Sequence, residues 1–184
     1  MRFIYLRGFL APKDMETIRS PHFISFHGRL KEINTPLVMG VVNMTLDSFY
    51  AASRTLRDDV VAKVKGMIDQ GVDIIDIGGQ STRPGAKMLP VEEEIKKVIP
   101  IIDEIKHRFP DIMVSVDTFY GEVVRSAKEV GVDIINDVSA GSMDKEMYPA
   151  VVEAQLPYVL MHMRGTPATM VGEQDREDPV NEIL

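Results

Sequence analysis

Apolar positions along this chain follow two periods that take turns. Residues 37–42 (LVMGVV) form a continuous apolar run, the pattern of a strand covered on both faces, as in a parallel sheet. Residues 58–70 (DDVVAKVKGMIDQ) instead space Val60, Val61, Val64, Met67 and Ile68 as a helix does, with Gly71 as the stop. The exchange then repeats. Residues 73–77 read as a strand, 91–109 as a long helix with a kink expected at Pro100, and 112–116 as a strand. Residues 120–130 read as a helix ended by Gly131, 133–135 as a strand, 145–155 as a helix and 158–161 as a fifth strand. The long helix opens on Glu92, Glu93 and Glu94 and closes on Lys106, His107 and Arg108, the order a helix dipole favours. Consecutive helical residues point different ways, so the three glutamates are expected to form a solvated first turn, not a metal cluster. Gly71-Val72-Asp73-Ile74-Ile75-Asp76 is echoed by Gly131-Val132-Asp133-Ile134-Ile135-Asn136, which predicts repeated βα units.

Such alternation predicts a parallel α/β fold, either an open doubly wound sheet or a (β/α)8 barrel. Neither GxGxxG nor GxxxxGK[ST] follows the first strand, which weakens the nucleotide-binding versions of the open sheet. Polar residues do follow the strands: Asn43, Asp47, Thr82, Arg83, Asp117, Asn136, Asp137, His162 and Arg164. Both folds gather function at the C-terminal ends of strands, and the pattern leans towards the barrel. Residues 1–36 lie outside the repeat. The first fifteen or so read as a leader without strong signal, while 22–26 and 29–33, flanking His27-Gly28, could form a hairpin that plugs the barrel's N-terminal end.

The 184 residues are 45% hydrophobic and 27% charged, the balance of a globular domain and not of a disordered chain. A net charge of −7 argues against an extended polyanion-binding surface, so no nucleic-acid partner is expected, though a local phosphate site stays compatible. With no cysteine, disulfides, Cys-ligated zinc and thiol catalysis are ruled out. Arg7 interrupts the apolar start, and no run approaches the roughly 18 apolar residues of a membrane span. A cytoplasmic chain with no membrane partner is the expectation.

Five stretches then carry a resemblance. Residues 39–49 (MGVVNMTLDSF), 76–86 (DIGGQSTRPGA), 115–118 (SVDT), 135–139 (INDVS) and 160–167 (LMHMRGTP) resemble, in order, five signatures of dihydropteroate synthase. The resemblance implies a TIM barrel and a transferase of folate biosynthesis, the target of sulfonamides. Its reaction condenses 6-hydroxymethyl-7,8-dihydropterin diphosphate with 4-aminobenzoate to 7,8-dihydropteroate and pyrophosphate. It implies that Asp117 and Asn136 bind the donor–acceptor edge of the pterin, and that Thr82, with Arg83 beside it, binds the diphosphate. Asn43 would offer an oxygen to Mg²⁺, and Phe49 and Pro84 would form the slot for the aminobenzoate ring. His162 lies near the pterin in such enzymes without accepting the proton, and family members are typically homodimers. Read alone, Asp117 serves equally as the N-cap of the next helix, Asn136 as the end of a strand and Arg83 as a surface ion pair.

The chain departs from the family at Leu46, where Pro is usual, at Ala51 and Ala52, where Asp-Gly is common, and at Gln80, where Glu is usual. Three later motifs of the family, Asp-Pro-Gly-x-Gly-Phe, Ser-Arg-Lys and Arg-x-His, do not occur, and five strands fall short of the barrel's eight. The expectation is therefore an incomplete pterin-binding barrel over residues 37–184, a truncated synthase with little activity by itself and with exposed edges on its first and fifth strands. Two other readings stay open. One is a pterin barrel like the methyltetrahydrofolate–corrinoid methyltransferases, which has no use for Ser-Thr-Arg-Pro-Gly at 81–85. The other is a non-catalytic pterin-binding fragment.

Overall fold

The computed structural model describes residues 4–5, 22–26, 28–44, 54–80, 88–163 and 165. Its elements follow the chain as β1 (Ile4–Tyr5), β2 (His22–Phe26), β3 (Arg29–Ile33), β4 (Val38–Asn43), α1 (Arg54–Asp69), β5 (Ile74–Gly78), α2 (Val91–Arg108), β6 (Met113–Asp117), α3 (Gly121–Glu129), β7 (Ile134–Asp137), α4 (Met147–Ala154) and β8 (Tyr158–Leu160). One sheet runs β1-β4-β5-β6-β7-β8, with β4 to β8 parallel throughout.

Strand residues alternate between the two faces of this sheet. Val42, Ile75, Ile77, Val114, Val116 and Ile135 face the helices and share one core with Val64 of α1, Ile101, Ile102 and Ile105 of α2, Val124 of α3 and Ala150 of α4. All four described helices thus pack on one side. A doubly wound sheet carries helices on both faces, whereas a barrel keeps them outside, so the molecule is part of a TIM barrel.

The opposite face is the barrel interior. Its bottom layer is Met39, Ile74 and Met113, with Ile134 of β7 one layer higher, all buried, and Ile24 and Phe26 of the β2–β3 hairpin pack against this cluster. The hairpin expected from the sequence forms with that register, Phe26 pairing with Arg29, and covers the end predicted for it.

The two echoed segments fold alike. Gly71 and Gly131 take φ of +86° and +84°, a conformation open to glycine, and each turns a helix end into a strand. Val72 N–H and Val132 N–H donate to the carbonyls of Met67 and Ala127 five residues back. Asp73 then accepts Val38 N–H, and Asp133 accepts Val114 N–H, both at 2.8 Å. Each Asp therefore ties the start of its strand to the start of the preceding β-strand in the chain. Asp133 also pairs with the nearly buried Lys106 at 2.9 Å.

One prediction about the leader needs correcting. Ile4–Tyr5 pairs antiparallel with Val38 and Met39, so β4 has a neighbour there on the side taken to be open. Two residues cannot display a period, and only the partner strand defines them.

Candidate active site at the barrel mouth

Parallel register sets Asn43, Gly78, Asp117 and Asn136 side by side near the C-terminal ends of β4 to β7. They lie on the interior face, an even number of residues above the bottom layer. One layer down are Asp76 and its cross-strand neighbour Ser115, both buried. The interior thus grades from apolar at the hairpin to polar at the mouth. Gly78 keeps a gap open in the top row. A β-carbon there would lie 3.1 Å from Asn43 Oδ1 and 3.4 Å from Asp117 Oδ2, so two oxygens border the space.

β7 is shifted by two residues against β6, with Ile134 beside Ser115 and not beside Met113. The shift keeps the same face and lifts Asn136 one layer above Asp76, to which its Nδ2 donates at 3.3 Å. Asp76 as a carboxylate can only accept, so the pairing leaves Asn136 Oδ1 as the acceptor for a ligand. Burial pushes the Asp76 carboxyl above its ordinary range, opposed by the Ser115 hydroxyl and the Asn136 amide. The Ser115 hydroxyl is near enough to favour the charged form, yet Asp76 Oδ1 and Ser115 Oγ close no hydrogen bond of good geometry among the described residues. Unpaired buried polar atoms of this kind belong where water or ligand completes the bonding.

Asp117 is pushed up to about 8 by burial and by the negative charges of Asp76, Glu94 and Asp137. Near neutral pH it can therefore both donate and accept. Its alternative role, capping the next helix, is taken by other groups. Gly121 N–H donates to Asp144 Oδ2 at 2.8 Å, and Tyr120 N–H to Thr118 Oγ1 at 3.2 Å. Asn136 is held in place by its neighbour, for Asp137 accepts Ser139 N–H, Ser139 O–H, Gly141 N–H and Tyr158 O–H, each at 2.7 Å. Tyr158 links this hub to β8.

Glu94 overturns the expectation of a solvated turn. Glu92 and Glu93 are exposed, but Glu94 is completely buried, facing the end of β5. Gly79 makes the room, since a β-carbon there would come within 2.7 Å of Glu94 Cγ. Gln80 Nε2 donates to Glu94 Oε2 and, at 3.2 Å, to Leu89 O, while Gln80 Oε1 accepts Leu89 N–H at 3.0 Å. Helical spacing of charges says nothing about a glycine on another element, so this burial had no local signal.

Of the residues singled out by the sequence, Asn43, Asp117 and Asn136 come together. Phe49, Thr82, Arg83 and Pro84 lie outside the described residues, as do Leu46 and Ala51. His162 is exposed just beyond β8. Sequence reasoning missed Asp76 and Ser115. Their signal was a polar residue inside each of two otherwise apolar strands. Among the described residues no group of three or more His, Asp or Glu could cage a metal. The donor set at the gap, an amide oxygen beside a carboxyl oxygen, still suits Mg²⁺, which takes few protein ligands and completes its shell with water and phosphate. No described helix is long and apolar enough to cross a membrane.

Comparison with known proteins bears on the same residues. The family described as pterin binding enzyme matches residues 39–184. The dihydropteroate synthase of Escherichia coli K12 is 41% identical over 157 residues, 85% of this chain and 55% of that protein. A solved Xanthomonas albilineans dihydropteroate synthase with 4-aminobenzoic acid superposes with a TM-score of 0.69 at 41% identity, covering 78% of this chain and 53% of that one. The Burkholderia cenocepacia enzyme complexed with 7,8-dihydropteroate gives a TM-score of 0.72 at 35% identity, covering 89% and 54%. The chain thus spans about half the length of these relatives, and 30% of a similar folate synthesis bifunctional protein of Arabidopsis thaliana. Because the family match runs from Met39 onward and takes in Asn43, Asp76, Asp117 and Asn136, the chain belongs to the pterin binding enzymes.

Proposed function

We propose that this chain binds 6-hydroxymethyl-7,8-dihydropterin diphosphate at the barrel mouth and acts in a dihydropteroate synthase, the folate-pathway transferase. The observation that carries the reading is the layered set of Asp117 and Asn136 above Asp76. An acceptor oxygen on Asn136 and a protonatable carboxyl on Asp117 complement the alternating donors and acceptors on the edge of a pterin. Buried groups of this kind also reject rings lacking that edge, which would leave them unpaired.

In the reaction the bond from the pterin methylene to oxygen breaks, and pyrophosphate leaves with the electron pair. The ring delocalises the resulting cation until the amine of 4-aminobenzoate forms the new C–N bond and loses a proton. Thr82 and Arg83 hold the diphosphate in this proposal, and Phe49 and Pro84 flank the aminobenzoate ring. Asn43 is the protein ligand of a Mg²⁺ that would neutralise charge on the leaving group. The supporting points are the pattern Ser-Thr-Arg-Pro-Gly at 81–85 and the relatives solved with 4-aminobenzoic acid and with 7,8-dihydropteroate. A homodimer and a cytoplasmic location belong to the same proposal and rest on the resemblance alone.

Calorimetry of the 184-residue chain with the pterin diphosphate, with and without Mg²⁺, is the test. Binding should tighten with Mg²⁺, and Asp117→Ala or Asn136→Ala should weaken it by about tenfold or more. Absence of binding by the unmodified chain, or binding by both variants as tight as that of the unmodified chain, overturns the reading.

A further inference from the structure

A carboxylate buried away from water is costly unless other groups replace its hydration. Asp76 is 2% exposed and sits in a strand made otherwise of isoleucine and glycine. Its row on the interior face holds Val41 on one side, Ser115 on the other and Ile134 beyond Ser115. Burial works against its charged form, and the groups that favour that form are the Ser115 hydroxyl and the Asn136 amide, neither of them a cation. Gly78 stands above it on the same strand and face, with no side chain to cover it. Asp76 is therefore open towards the mouth, and there it accepts Asn136 Nδ2 at 3.3 Å. An asparagine amide fits the same space with its two ends exchanged, so its partner decides which end faces which way. None of the four donors to Asp137 belongs to the Asn136 side chain, which leaves that decision to Asp76.

We propose that Asp76 is a positioning residue that sets the direction of the Asn136 amide, and that the site thereby selects flat rings carrying an exocyclic amino group over rings with an oxygen in that place. The inference rests on the reading of the mouth as a pterin site. A carboxylate only accepts, so the amide nitrogen turns to Asp76 and the oxygen to the ring. The edge of a pterin offers two donors, the ring N–H and the exocyclic amino group. The amino group projects beyond the ring and is the one that reaches a side chain held on the barrel wall. An oxygen in its place would meet Asn136 Oδ1 acceptor to acceptor, leaving both buried and unpaired.

Asp76→Asn keeps the volume but offers both a donor and an acceptor, so Asn136 can turn either end to the ring and the preference for the amino ring is lost. The charge of Asp76 has a second effect that works the opposite way. Burial, and then the charges of Asp76, Glu94 and Asp137, hold up the Asp117 carboxyl. Removing one of those charges lets Asp117 ionise more readily, and an Asp117 that only accepts favours the amino ring. Orientation and charge thus predict changes of opposite sign. Exchanging the pair, Asp76→Asn with Asn136→Asp, sets an amide nitrogen at position 76 against a carboxylate at position 136. The second oxygen of that carboxylate then meets the ring, and the preference returns.

The test is calorimetry of the unmodified chain, Asp76→Asn and the exchanged pair with 6-hydroxymethylpterin and with 6-hydroxymethyllumazine, which carries oxygen in place of the amino group. The readout is the ratio of the two affinities in each protein, because a general loosening of the fold weakens both rings together and leaves the ratio alone. The unmodified chain should prefer the pterin by about tenfold or more, Asp76→Asn should bring the ratio near one, and the exchanged pair should restore it. An unchanged or larger ratio in Asp76→Asn overturns the proposal, as does a ratio that stays near one in the exchanged pair. A second measurement needs no variant: in the unmodified chain, nuclear Overhauser contacts should join the Asn136 side-chain NH₂ to the Asp76 methylene. Their absence means that the oxygen end faces Asp76, and overturns the proposal even where the variants fail to fold. Equal binding of both rings by the unmodified chain overturns the selection and leaves the pterin site standing, whereas binding of neither overturns the pterin reading itself.

Discussion

Asp117 shares the barrel mouth with Asp76, Glu94 and Asp137, and the proximity of these carboxyl groups governs what each can do. Burial and the neighbouring negative charges hold its proton up to about 8. In an unfolded chain the same carboxyl would lose its proton near 3.8. Asp117→Asn keeps the shape and removes the titration, so the variant should lose less stability than the unmodified chain between about pH 6 and about pH 8. Urea unfolding at the two pH values measures this, and an unchanged difference would show that Asp117 does not titrate there. The same substitution leaves the donor–acceptor edge of the site intact, whereas Asp117→Ala removes it. At this scale the sequence put Asp117 and Asn136 at the ends of neighbouring strands, and the register sets them side by side. It could not say that Asn136 presents its oxygen, because that depends on Asp76 lying one layer below it.

Among the elements, the two Gly-Val-Asp turns offer an internal comparison. Asp73 and Asp133 each accept a backbone N–H from the start of the strand before them. Asp133 alone also holds Lys106, whose side chain is only 10% exposed. Replacing Asp73 with Ala removes one bond at an exposed position and should cost about 1 kcal/mol. Replacing Asp133 with Ala also strands a nearly buried ammonium and should cost about 3 kcal/mol. Denaturant midpoints of the two variants decide it, and equal losses would mean that Lys106 finds water instead. The hairpin makes a second case. Ile24→Asp would set a charge against Met39, Ile74, Met113 and Ile134 and should cost about 2 kcal/mol or more, read from the same denaturant curves. The repeat itself was visible as five identical residues in six positions, but the strand-to-strand role of its Asp was not. The residue it bonds lies 35 positions away for Asp73 and 19 for Asp133.

For the molecule as a whole, three carboxyl groups at the mouth, Asp76, Glu94 and Asp117, are all raised, in each case first by burial. A carboxyl raised on folding binds its proton more tightly in the folded state. The stability it supports is full below its unfolded value and is lost as pH climbs towards the folded one. Thermal unfolding should therefore move to lower temperature between about pH 5 and about pH 8, and added salt should do little to restore it, because buried charges are weakly screened. A flat or rising profile over that window would contradict the clustering. Ligand binding at the mouth should narrow the loss, since it supplies partners for these groups.

The sequence by itself determined the order of strands and helices, their parallel arrangement and the family. Each of these follows from local periods, helix stops and short contiguous motifs, which a chain carries whatever its neighbours are. Tertiary structure decided between barrel and open sheet, because only the packing of the four described helices on one face distinguishes them. It also paired Ile4–Tyr5 with β4, buried Glu94 behind Gly79 and put Asn136 a layer above Asp76. Each of those outcomes depends on register or close approach between residues far apart in the chain. No local pattern encodes such contacts, so they become definite only when the strands are laid side by side.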